Sequence, residues 1–455
     1  MEELIMRKER LASLMKDREM VMQHITNEFP EVFEYMQFCR DKIRNVIIIL
    51  GSARGGTSAF KGVLGNFPNV SCLSGEHRHL FTLLGYNFPD HGGSYEEKKD
   101  QLLGDEEIRY ILNNMYFESY VNQNESLSDR ELELYGWDWA SKLPIQWPDV
   151  SFSPDKIVSI VKTFYKENEL LYNNQNELFF YKLIKCFEEN FKGVDSAFYD
   201  APLIKLQNKD FQLQALKENF YQNRLIVEIP PFLLLKPRKL SHDYNHTNTL
   251  VVKASSDCYR IHQIDSLFEG FNKFYVHLKR NPLSSVNGLL DGWKHHTFGQ
   301  HDLNYLEKKY KVTPSPEIKR EFSWKFDLFE DWQLKISKPL KEVAVSQWCH
   351  SHEKILQFKK EIKNNWTDLY FEDFQGSIEQ RMEMFKKVSL KIEGMEAQLP
   401  LDAIKNPAVI NATSTPSAQR WKTRNESIID ILQNKQVIEL CDELGYRVKD
   451  YQSWL

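Results

Sequence analysis

The chain has 455 residues, 59 Lys+Arg against 64 Asp+Glu for a formal net charge of −5, and 42% hydrophobic residues. This is a globular composition without the concentrated basic face that a duplex-binding protein needs, so nucleic acid is not an expected partner. Aromatic residues reach 13% while Gly (19) and Pro (17) are scarce, which excludes collagen-like, linker-like and disordered readings.

The first 44 residues carry apolar side chains at roughly helical spacing (Leu4, Ile5, Leu11, Leu14, Met15, Met22, Ile25), broken at Pro30 and resuming through Phe33, Tyr35, Met36 and Phe38. They predict two helices. The amino-terminal stretch is charged throughout and lacks the apolar core of a signal peptide. No run approaches the eighteen or so apolar residues of a membrane span. The six cysteines (Cys39, Cys72, Cys186, Cys258, Cys349, Cys441) show no C-x-x-C spacing. Reduced thiols and a cytoplasmic location are expected.

Val46–Leu50 is a continuous apolar run ending in a glycine loop, as a strand buried on both faces of a parallel sheet should be. The loop Gly51-Ser-Ala-Arg54-Gly55-Gly56-Thr57-Ser58 leads into a helical pattern through Ala59, Phe60, Val63 and Leu64. It has the G-x-x-x-x-G frame of a phosphate loop, but Thr57-Ser58 stand where nucleoside triphosphatases place Lys-Ser/Thr. Backbone N–H groups and a helix start can still cradle a phosphate, and the Arg54 guanidinium matches phosphate oxygens. The competing interpretation is a plain glycine-containing strand-to-helix turn.

Residues 96–217 are rich in Asn, Glu, Lys and aromatics, with helical patterns near 105–120, 155–170 and 177–190, and are expected to form a mainly helical insertion or cap. Trp137, Trp139 and Trp147 in it are candidates for a ligand pocket, or for core. Strand-like runs return at Arg224–Ile229, Thr249–Lys253, Phe274–Leu278 and Thr367–Phe371, with helices near 283–295, 345–363 and 424–444. The run at 274–278 ends in Lys279-Arg280 and turns through Asn281-Pro282 into a helix with Ser284 and Ser285 in its first turn, a second place for a phosphate. An arginine salt-bridged at a helix cap is the alternative. Arg420, Trp421, Lys422 and Arg424 form a third basic cluster, or else a solvated basic turn. His295-His296, His350/His352 and His242/His246 have no accompanying zinc-ligand pattern, and no metal is expected.

Together GSARGGTSAF, VHLKRNPLSSVNG and STPSAQRWKTRN, with VEIPPF, VVKASSDCYRI, FSWKFDL, VSQWCHSHEKIL and LYFEDF between them, resemble the sulfotransferases that use 3′-phosphoadenosine-5′-phosphosulfate (PAPS), particularly a bacterial branch. The resemblance covers about residues 45–90 and 222–446. It implies an α/β fold, a three-layer open parallel sheet flanked by helices (the P-loop-like sulfotransferase fold) with a large helical insertion. The implied order is an N-terminal helical segment (1–44), a first α/β part (45–95), the insertion (96–217) and the rest of the α/β domain (218–455).

The resemblance further implies metal-independent in-line transfer of a sulfuryl group from PAPS to a hydroxyl, less readily an amine, of a small-molecule, sugar or lipid-like acceptor, releasing 3′-phosphoadenosine 5′-phosphate (PAP). Arg54 would touch the leaving phosphate and the transferred group, and Gly55, Gly56, Thr57 and Ser58 would supply loop donors. Arg280 would bind the 3′-phosphate, and Arg420, Trp421, Lys422 and Arg424 would close the cofactor pocket. The family's serine eight residues beyond that arginine is Gly288 here, so Ser284 is expected to take over its contact. Glu76 in SGEHRHLF would be the base on the acceptor, with His77 and His79 as alternatives; Glu76 pairing with Arg78 is the structural alternative. A glutamate normally titrates near 4.3, so as a base it needs desolvation or proton transfer coupled to bond formation. An atypical P-loop kinase or nucleoside triphosphatase, and a non-catalytic scaffold of the same fold, are the other functions in play.

Overall fold

The structure is a computed structural model that describes residues 2–86, 102–119, 126–201, 224–240, 244–320, 323–362, 365–392, 394–395 and 399–454. Its centre is the run NVIIIL, Asn45–Leu50 (β1), whose last five residues are buried. Val70–Cys72 is β2, Tyr199–Asp200 β3, Phe232–Leu233 β4, Thr249–Val252 β5, Asn272–Lys279 β6, Gly299–Asp302 β7, Ser323–Lys325 β8 and Trp366–Tyr370 β9. Five of these make one sheet in the order β2-β5-β1-β6-β9. Every pairing in it is parallel, with Ile47 opposite Val251 on one side and Phe274 on the other. β3 pairs with β4, and β7 with β8, in two small separate sheets.

Alternation along β1 divides the interior in two. Val46, Ile48 and Leu50 belong to a large core with the amino-terminal helices Glu2–Glu28 and Pro30–Lys42, the helices between 105 and 190, and helix Leu340–Glu361. Ile47 and Ile49 point the other way, into a smaller core with Phe60, Val63 and Leu64 of helix Thr57–Leu64 and Met384, Phe385 and Val388 of helix Ile378–Ser389. Helices thus cover both faces of a parallel sheet, the three-layer α/β arrangement expected for strands that are apolar on both faces.

The strand order also fixes where a ligand belongs. From β1 the chain crosses to the β2 edge, whereas from β6 it crosses to the β9 edge. The neighbours β1 and β6 therefore send their following loops apart, which opens a crevice at their carboxyl ends.

Several elements differ from expectation. Arg224–Ile229 forms no strand; Leu225 and Val227 instead pack against Leu11 and Leu14 of the first helix. The helix expected over 424–444 is broken into turns at Arg420–Arg424, Asn425–Ile428 and Ile429–Gln433 and a true helix only from Lys435, capped by the Asn434 side chain. Helix Asp129–Gln146 lies between the helical patterns read from the sequence. Its signal was present as a capping box, Ser128-x-x-Glu131, in which the Glu131 carboxylate accepts from the Ser128 N–H at 2.9 Å.

The helices between 105 and 190 form core more than cap. Trp139 and Trp147 are buried in the large cluster, and Trp137 packs against His24 with ring centroids 3.9 Å apart and planes tilted by 43°. Six free cysteines match the expected thiols. Among the described residues no helix is long and apolar enough to cross a membrane.

Candidate functional site

The crevice holds a cavity of about 470 Å³. Its floor is the loop after β1. Gly56 adopts a left-handed conformation (φ 89°) and caps helix Thr57–Leu64, so the first-turn N–H groups of Thr57 and Ser58, which line the cavity, have no intrahelical acceptor. A Cβ on Gly56 would overlap the Phe371 ring. Gly56→Ala is therefore expected to cost roughly 2–4 kcal/mol, from the left-handed backbone and the displaced ring, visible as a lower denaturation midpoint. An unchanged midpoint would mean that the loop relaxes freely.

Seven cationic side chains line the cavity (Arg54, Lys61, Arg78, Lys253, Arg280, Arg381 and Arg420) against the two carboxylates Glu76 and Glu228. Arg54 has a left-handed backbone (φ 62°). Its guanidinium donates to Gly288 O (3.3 Å), Asn411 O (2.6 Å) and Thr413 Oγ1 (3.2 Å) and lies 5.0 Å over the Phe298 ring. Arg280, at the end of β6, donates to Arg54 O at 2.8 Å and lies 4.9 Å over Phe371, while its buried Nε has no protein acceptor. Burial, then repulsion from Arg280 and Arg420, pulls Arg54 down to about 10. Burial also brings Arg280 to about 10, with Glu372 opposing and Arg420 adding to the fall. These guanidinium groups repel one another in a partly desolvated space, a condition an anion relieves.

Gly288, the position where the family resemblance has serine, is occupied from outside. A Cβ there would lie 3.3 Å from Arg54 Cβ, so the arginine stem rests where a side chain would project. Ser284 does not take over as a cavity residue: it is buried in the first turn of helix Pro282–Lys294, its N–H donates to Asn281 Oδ1 at 2.8 Å, and it is absent from the lining.

The third basic cluster is divided. Arg420 lines the cavity and pairs with Asp291; Arg424 pairs with the other oxygen of that carboxylate and donates to Asn287 Oδ1 at 2.6 Å, outside the lining. Trp421 is core, 1% exposed, and Lys422 is exposed and donates to Gln419 Oε1 at 2.6 Å. Neither lines the cavity.

Among the candidate bases, Glu76 and His79 line the cavity and His77 does not. His77 is 1% exposed, with Nε2 3.1 Å from Asp257 Oδ1. Both ring nitrogens of His79 lie against acceptors, Nδ1 at 3.2 Å from Glu76 O and Nε2 at 2.7 Å from Glu118 Oε1, which engages the ring as a donor. Burial is the foremost influence and lowers its pKa, against the pull of Glu118. Glu76 pairs through Oε1 with Lys253, not with Arg78, whose guanidinium donates to Gln300 and reaches Asp327 at 3.5 Å. Burial pushes the Glu76 carboxyl up, but Lys253, Lys61 and Arg78 together outweigh it and hold it below the ordinary range.

Four of these cations, Lys61, Arg78, Lys253 and Arg381, were not among the sequence candidates for catalysis or cofactor binding. Lys253, just beyond β5, links Glu76 to Ser58 Oγ (3.1 Å), joining the segment after β2 to the loop after β1. Lys61, on the buried side of helix Thr57–Leu64, donates to Leu73 O (2.8 Å) and Gly75 O and so fixes the segment that carries Glu76. The sequence signal for Lys253 was a cation directly after an apolar strand, the same signal that marks Arg280. None of the described residues of 96–217 lines the cavity; the insertion stands behind the lining, with Glu118 at His79, Lys142 at Glu228 (3.1 Å) and Asp200 at Asn411. An apolar part of the lining comes from Ile229, Pro230, Pro231, Leu233, Phe298 and Phe326. Among the described residues there is no cluster of three or more His, Cys, Asp or Glu arranged to hold a metal ion.

No protein-family model matches the chain, and no curated protein does. Two solved structures are similar. One is a sulfotransferase domain from the curacin biosynthetic pathway (TM-score 0.33, 12% identity, covering 90% of this chain and 99% of that one). The other is a sulfotransferase domain from the Synechococcus PCC 7002 olefin synthase (TM-score 0.32, 11% identity, 89% and 96%). Superpositions this loose assign no residue a role.

Proposed function

We propose that the chain is a PAPS-dependent sulfotransferase acting on a hydroxyl of a small-molecule, sugar or lipid-like acceptor. What carries the reading is the convergence of Arg54, Arg280 and Arg420 on one cavity, at the switch point of a parallel sheet and above a phosphate-type loop. The pocket has the size and place of a nucleotide site. Buried polar atoms of the lining without protein partners, Arg280 Nε, Arg381 Nε and Ser414 Oγ, fit a ligand rich in phosphate oxygens.

Arg54, Arg280, Arg420 and the N–H groups of Thr57 and Ser58 would hold the donor, which supplies an activated sulfuryl group. The protein's own part is to fix donor and acceptor in line, to concentrate positive charge where negative charge develops on the leaving phosphate, and to receive the acceptor proton at Glu76. The apolar wall suits the hydrocarbon portion of an acceptor.

Calorimetry with PAP, and with ATP in the presence and absence of magnesium, tests the donor site. Metal-independent binding that requires the 3′-phosphate is expected. A preference for magnesium-ATP would point instead to a P-loop kinase or nucleoside triphosphatase, and no nucleotide binding to a scaffold. Mass spectrometry for the gain of one SO₃ across candidate alcohols then tests transfer. Arg280→Ala should weaken PAP binding by about 10- to 100-fold, the loss of charge-assisted bonds to one phosphate, with little change in melting temperature. Wild-type PAP affinity in that variant would remove Arg280 from the site.

A further inference from the structure

Asp200 closes β3 beside the cavity, and its Oδ2 accepts the Asn411 N–H at 2.8 Å. The carbonyl of the same residue accepts from Arg54 Nη1 at 2.6 Å, and Thr413 Oγ1, two residues on, accepts from Arg54 Nη2 at 3.2 Å. Asn411 is thus held at its N–H by a carboxylate and at its carbonyl by a guanidinium, in a left-handed conformation (φ 55°) that asparagine tolerates better than most residues. The segment 407–418, PAVINATSTPSA, contains no ionisable side chain, so the charges that fix it come from the loop after β1 and from β3. Nearly all of that segment lines the cavity, and Asn411 Oδ1 and Ser414 Oγ are buried there without protein partners.

We infer that Asp200 is a positioning residue: through Asn411 it sets the Arg54 guanidinium and holds the segment 407–418 as the wall that meets the bound anion. Asp200 does not itself line the cavity. The inference rests on the proposed anion site at Arg54.

The charged groups that act on Asp200 are Arg54, from the loop after β1, and Glu177, from helix Asn176–Asn190; β4 and the segment 407–418 present none. Burial raises its carboxyl to about 6, against the Asn411 N–H and Arg54, with Glu177 adding to the rise. The clamp is therefore charged at neutral pH and loses its charge as pH falls through about 6.

The test compares wild type, Asp200→Asn and Asp200→Ala by PAP affinity between about pH 5 and 8 and by hydrogen exchange at the Asn411 amide. Asp200→Ala should weaken PAP about 10-fold or more and speed exchange along 407–418, as expected for losing a charge-assisted bond to a backbone N–H. Asp200→Asn keeps an acceptor for that N–H, so its affinity at pH 7.5 should fall less, while the acid limb near 6 disappears. Wild-type exchange in the alanine variant, or an unchanged acid limb in the asparagine variant, overturns the clamp. Should the alanine variant not fold, the asparagine pH profile alone decides. Failure of wild type to bind PAP would instead reject the proposed function, and the exchange comparison would still judge the clamp.

Discussion

Arg54→Ala is expected to lower turnover by about 10²–10³-fold, the usual loss when a preorganised donor to developing charge is removed from a low-dielectric site. Three of its donor atoms hold protein acceptors at Gly288, Asn411 and Thr413, so the side chain is already oriented before any ligand arrives. Preorganisation of this kind helps the transition state more than the ground state. The fall in kcat should accordingly exceed the fall in PAP affinity, although some affinity goes too because the segment 407–418 loses its anchor. Arg54→Lys keeps the charge but not the fork that reaches several acceptors, and should recover only part of the rate. Steady-state kinetics beside PAP calorimetry separates the two effects; equal losses in affinity and kcat/KM with kcat intact would assign Arg54 to binding alone.

Glu76→Gln should cost about 10²–10⁴-fold in kcat, the range for a positioned general base, with donor affinity nearly unchanged. The sign of the pH dependence follows from its partners. Glu76 sits below the ordinary carboxyl range, so it is ionised at neutral pH and its acid limb lies below that range. Lys253→Met removes the foremost of the opposing influences and leaves burial less opposed, so the limb attributed to Glu76 should move to higher pH. Two limbs are then distinguishable in wild type, one from Glu76 at low pH and one near 6 from Asp200. A pH–rate profile of the Glu76→Gln variant that retains wild-type kcat would send the search for the base elsewhere along the cavity wall. His79 is a poor successor, because both of its nitrogens already face acceptors.

What the sequence disclosed was the part of the site carried by contiguous residues. β1 and its loop are legible because five apolar residues and a glycine frame stand together, and Arg280 because it directly follows a strand. Contacts brought together by folding left no such trace. Asp200 and Asn411 are 211 positions apart, and of the segment that lines the cavity at 407–418 only the part from Ser414 on belongs to a quoted motif, the rest having neither charge nor periodicity to mark it. Direction was equally hidden: His77 and His79 sit two residues apart around a short helix start, yet one turns into the polar interior with Asp257 and the other to the cavity. Trp421, read with the cations around it, belongs to the core, where its ring packs near Tyr451 with centroids 6.2 Å apart.

The bed that Gly288 provides for the Arg54 stem makes these two positions a single unit of change. Enlarging residue 288 pushes on the side chain at 54, and shortening residue 54 leaves a gap beside 288. An engineer wishing to exchange this arrangement for a lysine at 54 and a hydroxyl donor at 288 must make both substitutions at once, and either intermediate alone should be worse than both endpoints. Any route between the two designs therefore crosses a valley, and a double-mutant cycle on 54 and 288 would measure its depth.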